Sequence, residues 1–101
     1  MSKNTLINQE RLPMLFNALG DQNRMKIFKL LLEDNDSHKL CVSDIAKELK
    51  TSVPAASKQL KIMEMVGLVK RKRIGQMICY EIVKDNPVIK ELTGVIQKVG
   101  K

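Results

Sequence analysis

Histidine occurs once in the chain, cysteine twice, and no run of apolar residues is long. A membrane-spanning helix needs about 20 consecutive apolar residues, so insertion into a bilayer is excluded and no membrane partner is expected. Met1, Ser2, Lys3, Asn4 and Thr5 lead into no signal-peptide core, which makes a cytoplasmic location the default expectation. Two cysteines cannot build the disulfide framework of a small secreted scaffold, and in a reducing cytosol Cys41 and Cys79 are expected as thiols. His38 alone offers little acid–base capacity at neutral pH. Neither a glycine-rich phosphate loop nor a His-Glu helix motif is present, so no enzyme activity, catalytic residue, cofactor or resident metal is expected. Repeats, low-complexity tracts and long linkers are also missing. The 101 residues therefore read as a single domain, 1–101, with a modest core.

What is present is apolar residue enough to fold and an excess of positive charge. A hydrophobic share of 44% suits a packed globule rather than a disordered chain. Eighteen basic against 11 acidic residues leave a net charge of +7, which favours a polyanion: nucleic acid or an anionic membrane surface.

Apolar spacing then sets out the elements. Leu12, Leu15, Phe16 and Leu19 recur at helical intervals and predict a first helix over 9–19, ended by Gly20. Asp21 can cap a second helix that buries Ile27, Phe28, Leu31 and Leu32. The polar cluster Asp34, Asn35, Asp36, Ser37 predicts a surface loop. Ser43 is expected to cap a third helix with Ile45, Ala46 and Leu49 inward. After a tight turn at Lys50 and Thr51, Ser52 caps a fourth helix that carries Pro54 in its first turn and stops at Gly67. Two strands follow, Leu68 to Arg73 and Met77 to Ile82, with Ile78, Tyr80 and Ile82 on the core face and Met77, Cys79 and Glu81 on the other. Met63 and Met65 are expected to fill gaps in the core. From Asn86 a last helix bears Val88, Leu92, Val95 and Val99 as a wide apolar stripe that invites a partner. Gly94 within it makes sense where another helix backbone comes close. The fold expected is mainly α: a winged helix-turn-helix of about five helices with a two-stranded β-hairpin wing. Residues 43–66 form the helix-turn-helix and 68–83 the wing. A short turn between two helices lets the second project into a major groove, so double-stranded DNA is the expected partner.

The sequence resembles the ArsR/SmtB family of bacterial winged-helix repressors. Leu19-Gly20-Asp21 with Arg24 and Ile27 is similar to that family's second-helix start. Ser52, Ala55, Ser57-Lys58-Gln59-Leu60 and Gly67-Leu68-Val69 resemble its recognition helix, and Arg73, Gly75-Gln76 and Tyr80 its wing. The similarity runs from about residue 10 to residue 99. It implies a homodimer built from the helices at 9–19 and 86–99, inverted-repeat operators, and repression relieved by an inducer. The inducer stays unknown, because the chain departs from the family's metal sites. Where many relatives have Cys-Val-Cys, this chain has Cys41-Val42-Ser43, and residues 85–101 contain no histidine.

The residues expected to meet DNA are Ser52, Ser57, Lys58, Gln59 and Lys61 on the fourth helix and Arg73 and Gln76 at the wing tip. Serine and lysine suit phosphates, and glutamine can pair with adenine N6 and N7. Ser57, Lys58 and Gln59 are assigned to bases and Ser52 to a phosphate at a helix N-terminus. The bland readings are a solvated helix face, and for Lys70-Arg71-Lys72-Arg73 a charged edge that deters strand pairing. Three roles stay open for Cys41: part of a metal or arsenite site, a redox-sensing thiol, or a packed, inert side chain. Two rivals stand beside the repressor reading: a winged-helix DNA binder without small-ligand sensing, and a winged helix used for protein interaction.

Overall fold

The computed structural model describes residues 12–34 and 40–99. Among these, five helices and one antiparallel hairpin follow one another in the order the apolar spacing predicts. His38, most of the expected loop at 34–37 and the start of the expected first helix lie outside the described residues. No helix among the described residues is long and apolar enough to cross a membrane.

Helix α1 covers residues 12–19 and ends where the Gly20 N–H donates to the Phe16 and Asn17 carbonyls. Leu15, Ala18 and Leu19 are buried, whereas Phe16, of the same apolar spacing, is more than half exposed. Helix α2, Gln22–Glu33, starts at Asp21, whose carboxylate accepts from the N–H groups of Asn23 and Arg24 at 3.0 Å each. Its buried side is Ile27, Phe28, Leu31 and Leu32, the four positions read from the spacing.

The cap of helix α3, Val42–Leu49, lies two residues earlier than expected, and Ser43 is not that cap. Cys41 holds that place, with its N–H donating to the Asp44 carboxylate at 3.0 Å, which leaves Ser43 exposed inside the first turn. The turn into α4, Val53–Met65, needs Lys50 in the left-handed region at φ 55°. Thr51 N–H closes it by donating to the Ala46 carbonyl at 2.9 Å. Ser52 caps α4 through its Oγ, which accepts from Ala55 N–H. Ala56, Leu60 and Met63 are buried, but Met65 is 83% exposed and is no core filler. Gly67, at φ 84°, supplies the left-handed residue that ends the helix.

Strands β1, Val69–Ile74, and β2, Met77–Ile82, pair from Val69 with Ile82 out to Ile74 with Met77. That register leaves a two-residue connection, Gly75-Gln76. Gly75 has φ 62° and Gln76 lacks a positive φ, the pattern of a type II′ hairpin turn. Tyr80 and Ile82 are buried as expected. Cys79, assigned to the outer face, is buried too, because Cys41 forms a single antiparallel bridge along the other edge of β2 and covers it. Helix α5, Pro87–Val99, starts at Asn86, whose side-chain oxygen accepts from Val88 N–H at 2.9 Å. Only Ile89 of α5 is buried, while Val95 and Val99 are 56% and 78% exposed.

Candidate nucleic-acid interface

An α-helix turns about 100° per residue, so Ser57, Lys58 and Gln59 cannot share one direction. Lys58 is exposed and marks the outer strip of α4, in line with the exposed Ala55 and Met65. Ser57 and Lys61 lie on the flank toward the wing. There they line a groove of about 450 Å³ together with Val53, Arg71, Met77 and Cys41. Gln59 lies on the opposite flank, in a smaller recess of about 230 Å³ beside Asn23, Thr51 and Ala55.

Gln59 is held in place. Its Oε1 accepts from Arg24 Nη1 at 3.0 Å, while Arg24 Nε donates to the Ala18 carbonyl at 2.7 Å. One guanidinium thus bridges the end of α1, the start of α2 and the middle of α4. The carbonyl oxygen keeps a second lone pair and the amide keeps both N–H donors, so the clamp orients Gln59 without exhausting it. Arg24 stood in the sequence only as part of a family-like motif; its partner 35 residues away could not be read from spacing.

At the wing every residue of β1 beyond Val69 is exposed, with Gly75 and Gln76 at the tip. The basic run divides by alternation. Lys70 lies opposite Glu81 and pairs with it at 3.5 Å, a half-exposed ion pair that contributes little to stability. Arg71 and Arg73 share the face of Tyr80 and Ile78, their partners across the hairpin. Arg71 reaches the groove beside Lys61 and Ser57, a neighbour of α4 that the sequence reading passed over in favour of Arg73. Ser52 is exposed, and its Oγ is spent on capping, so its part in holding a phosphate would run through the helix terminus.

The two cysteines depart most from the sequence reading. Instead of separate thiols with Cys79 on a distant hairpin, Cys41 and Cys79 are joined by a disulfide across 38 residues. Among the described residues there is no cluster of three or more His, Cys, Asp or Glu side chains that could hold a metal ion.

Residues 21–71, from the α2 cap through the first half of β1, match the family described as "Bacterial regulatory protein, arsR family". An HTH-type transcriptional regulator of Methanocaldococcus jannaschii is 34% identical over 90 residues, 89% of this chain and 96% of the relative. The chain belongs to the ArsR family. It is a transcriptional regulator with a winged helix-turn-helix DNA-binding fold. A transcriptional repressor SmtB homolog of Synechocystis is 33% identical to this ArsR-family chain over 84% of its length, and a CadC homolog of Staphylococcus aureus 31% over 77%. The chain spans only 61% and 60% of those two relatives. In structure it resembles HlyU from Vibrio cholerae (TM-score 0.77, 24% identity, covering 98% of this chain and 97% of that one). It also resembles a homodimeric winged helix-turn-helix domain from Mycobacterium bovis (TM-score 0.77, 23% identity, covering 99% and 87%). At those identities the likeness bears on the fold alone.

Proposed function

We propose that this regulator is a repressor that binds an inverted-repeat operator as a homodimer, with α4 in the major groove and the wing along the flanking backbone. The observation that carries the reading is the arrangement of charge: the exposed Lys58 strip of α4 adjoins a groove whose walls include Lys61 and Arg71, with the basic hairpin beyond. A recognition helix and a basic ribbon side by side suit a groove and its phosphates, and a protein-docking face would be more apolar. Gln59, oriented by Arg24, is the base reader, and Arg73 and Gln76 contact the backbone or minor groove.

Two features support the dimer. Val95 and Val99 of α5, and Met14 and Phe16 of α1, expose apolar surface that a symmetric partner would cover. The Mycobacterium bovis neighbour is homodimeric. Repression accords with the repressor named among the relatives.

The test is selection of bound fragments from genomic DNA, footprinting of the best fragment, and a reporter driven by that promoter. Protection of two half-sites about 34 Å apart, with reporter output rising when the regulator is deleted, is the expected result. A single unpaired footprint would refute the dimeric operator, and falling output would refute repression.

A further inference from the structure

Cys41 is the residue from which α3 departs, and Cys79 sits on β2 directly opposite Lys72 of the basic run. Their bond joins the first helix of the helix-turn-helix to the wing. Both residues are buried, at 4% and 2% exposure, and the bridge between them is a single residue pair. Next to it the hairpin's outer half projects with its side chains in solvent. Beside the main chain that runs from α4 into β1, the bond is therefore a second covalent tie, from the start of α3 to β2, that bears on where the basic wing stands relative to the helix-turn-helix.

Access to the two sulfurs is unequal. Cys41 lines the groove between α4 and the hairpin, and Cys79 is not among the residues lining it. Lys61 and Arg71 bring positive charge to the same groove, the setting in which thiols react as thiolates. Cys41 thus stands as the sulfur that meets a small reagent, and Cys79 as the one that resolves the product.

We propose that Cys41 and Cys79 form a reversible dithiol–disulfide couple, oxidised by small hydroperoxides, that fixes the wing against the recognition helix and raises DNA affinity. The proposal rests on the DNA-binding reading above and adds its regulation. In the forward step the Cys41 thiolate attacks the outer oxygen of the hydroperoxide. An S–O bond forms, the O–O bond breaks, and the departing alkoxide takes a proton to become an alcohol, or water where the reagent is hydrogen peroxide. The Cys79 thiol then attacks the Cys41 sulfenic sulfur, forming the S–S bond and expelling water, which carries the thiol proton. Two thiols have lost two electrons and two protons to one hydroperoxide. A dithiol reductant reverses this through a mixed disulfide, returning two electrons and two protons. In the reduced protein the two sulfurs part to non-bonded contact; the root of the hairpin stays on the core through Val69, Tyr80 and Ile82, while the outer half loses its covalent link to the start of α3. The outer half of the wing then has to be ordered when DNA binds, at an entropic cost that the bond removes in advance.

The experiment uses the full chain, treated with hydrogen peroxide or with dithiothreitol, and counts free thiols by alkylation and mass. DNA affinity is read by anisotropy on a selected operator and on a random duplex, and amide exchange is followed over residues 69–82. Expected are one intramolecular bond after peroxide, its loss in dithiothreitol with the fold intact, slower exchange in the oxidised hairpin, and DNA binding about fivefold to tenfold tighter when oxidised. Cys79→Ser should form no intramolecular bond, stop at a Cys41 sulfenic acid after peroxide and keep the DNA affinity of the reduced protein, with circular dichroism checking its fold. A bond that persists in dithiothreitol until the protein unfolds would make it purely structural and overturn the proposal. Equal exchange and equal affinity in both states, or weaker binding when oxidised, would overturn it as well. Absence of binding to either duplex in both states would instead sink the DNA-binding reading and remove the affinity effect with it, whatever the thiol count shows.

Discussion

Arg24→Ala removes both hydrogen bonds of the guanidinium clamp, and the structure allows each loss to be sized. The bond to the Ala18 carbonyl at 2.7 Å and that to Gln59 at 3.0 Å both come from a charged donor in a part-buried setting. A charge-assisted hydrogen bond contributes roughly 1.5–3 kcal/mol, and water can reach a half-buried site to offset part of the loss. A net destabilisation of about 2–3 kcal/mol follows for the pair, or roughly 10–20 °C in Tm for a domain of this size. The second consequence concerns reading. Without Arg24, Gln59 must be immobilised at the moment of binding, at about 0.5–1.5 kcal/mol for one side chain, or roughly two- to tenfold on the preferred site. Random DNA should be little affected. Thermal melting and paired anisotropy titrations read the two effects separately. Arg24→Lys keeps the charge but not the fork and should recover only part of either. A cycle combining Arg24→Ala with Gln59→Ala should show coupling of about 1 kcal/mol in stability. If Arg24→Ala melts with the native chain and retains its specificity ratio, the clamp is incidental and the reasoning fails.

Leu92→Glu places a charge in the stripe assigned to the dimer and should lower the dimer fraction; light scattering that finds the native protein monomeric at micromolar concentration would rule out the dimer itself. Arg73→Ala should weaken binding to every duplex alike and reduce the slope of log affinity against log salt by about 1, and an unchanged slope would take Arg73 off the backbone. Tyr80 is the chain's one tyrosine and tryptophan is absent, so its ionisation can be followed by ultraviolet absorbance alone. Burial first, then the Glu64 carboxylate, raise its pKa above the ordinary 10.0, with Arg71 acting the other way. Since the phenol ionises later in the folded than in the unfolded chain, Tyr80's contribution to stability is complete below about pH 10 and lost as pH rises through the folded value. A midpoint at or below 10.0 would contradict its buried position against α4.

Local signals in this chain were strong because each rested on near neighbours. Asp21, Ser52 and Gly67 act within one helical turn of themselves, and they cap or stop α2 and α4 where the sequence placed them. The period-two pattern found Tyr80 and Ile82, and the period-3.6 pattern found the whole buried side of α2. Where the reading slipped, a residue's surroundings came from elsewhere in the fold. Ser43 looked like a cap, but the bridge to β2 draws Cys41 into that position. Met65 lies on a helix at apolar spacing, yet no other described element covers it.

The division is one of range. Helix ends, strand faces and turns are decided by sterics and hydrogen bonds over a few residues, so the amino-acid sequence by itself determined the element order, the helix-turn-helix and the basic hairpin. Contacts between residues far apart depend on how the helices pack, and one-dimensional spacing carries no trace of them. Packing alone decided that Arg24 holds Gln59, that Arg71 shares a groove with Ser57 and Lys61, and that Cys41 meets Cys79. Each of these pairs becomes adjacent only once burial of Phe28, Ile45, Leu60 and Leu68 has brought α2, α3, α4 and the hairpin onto one core.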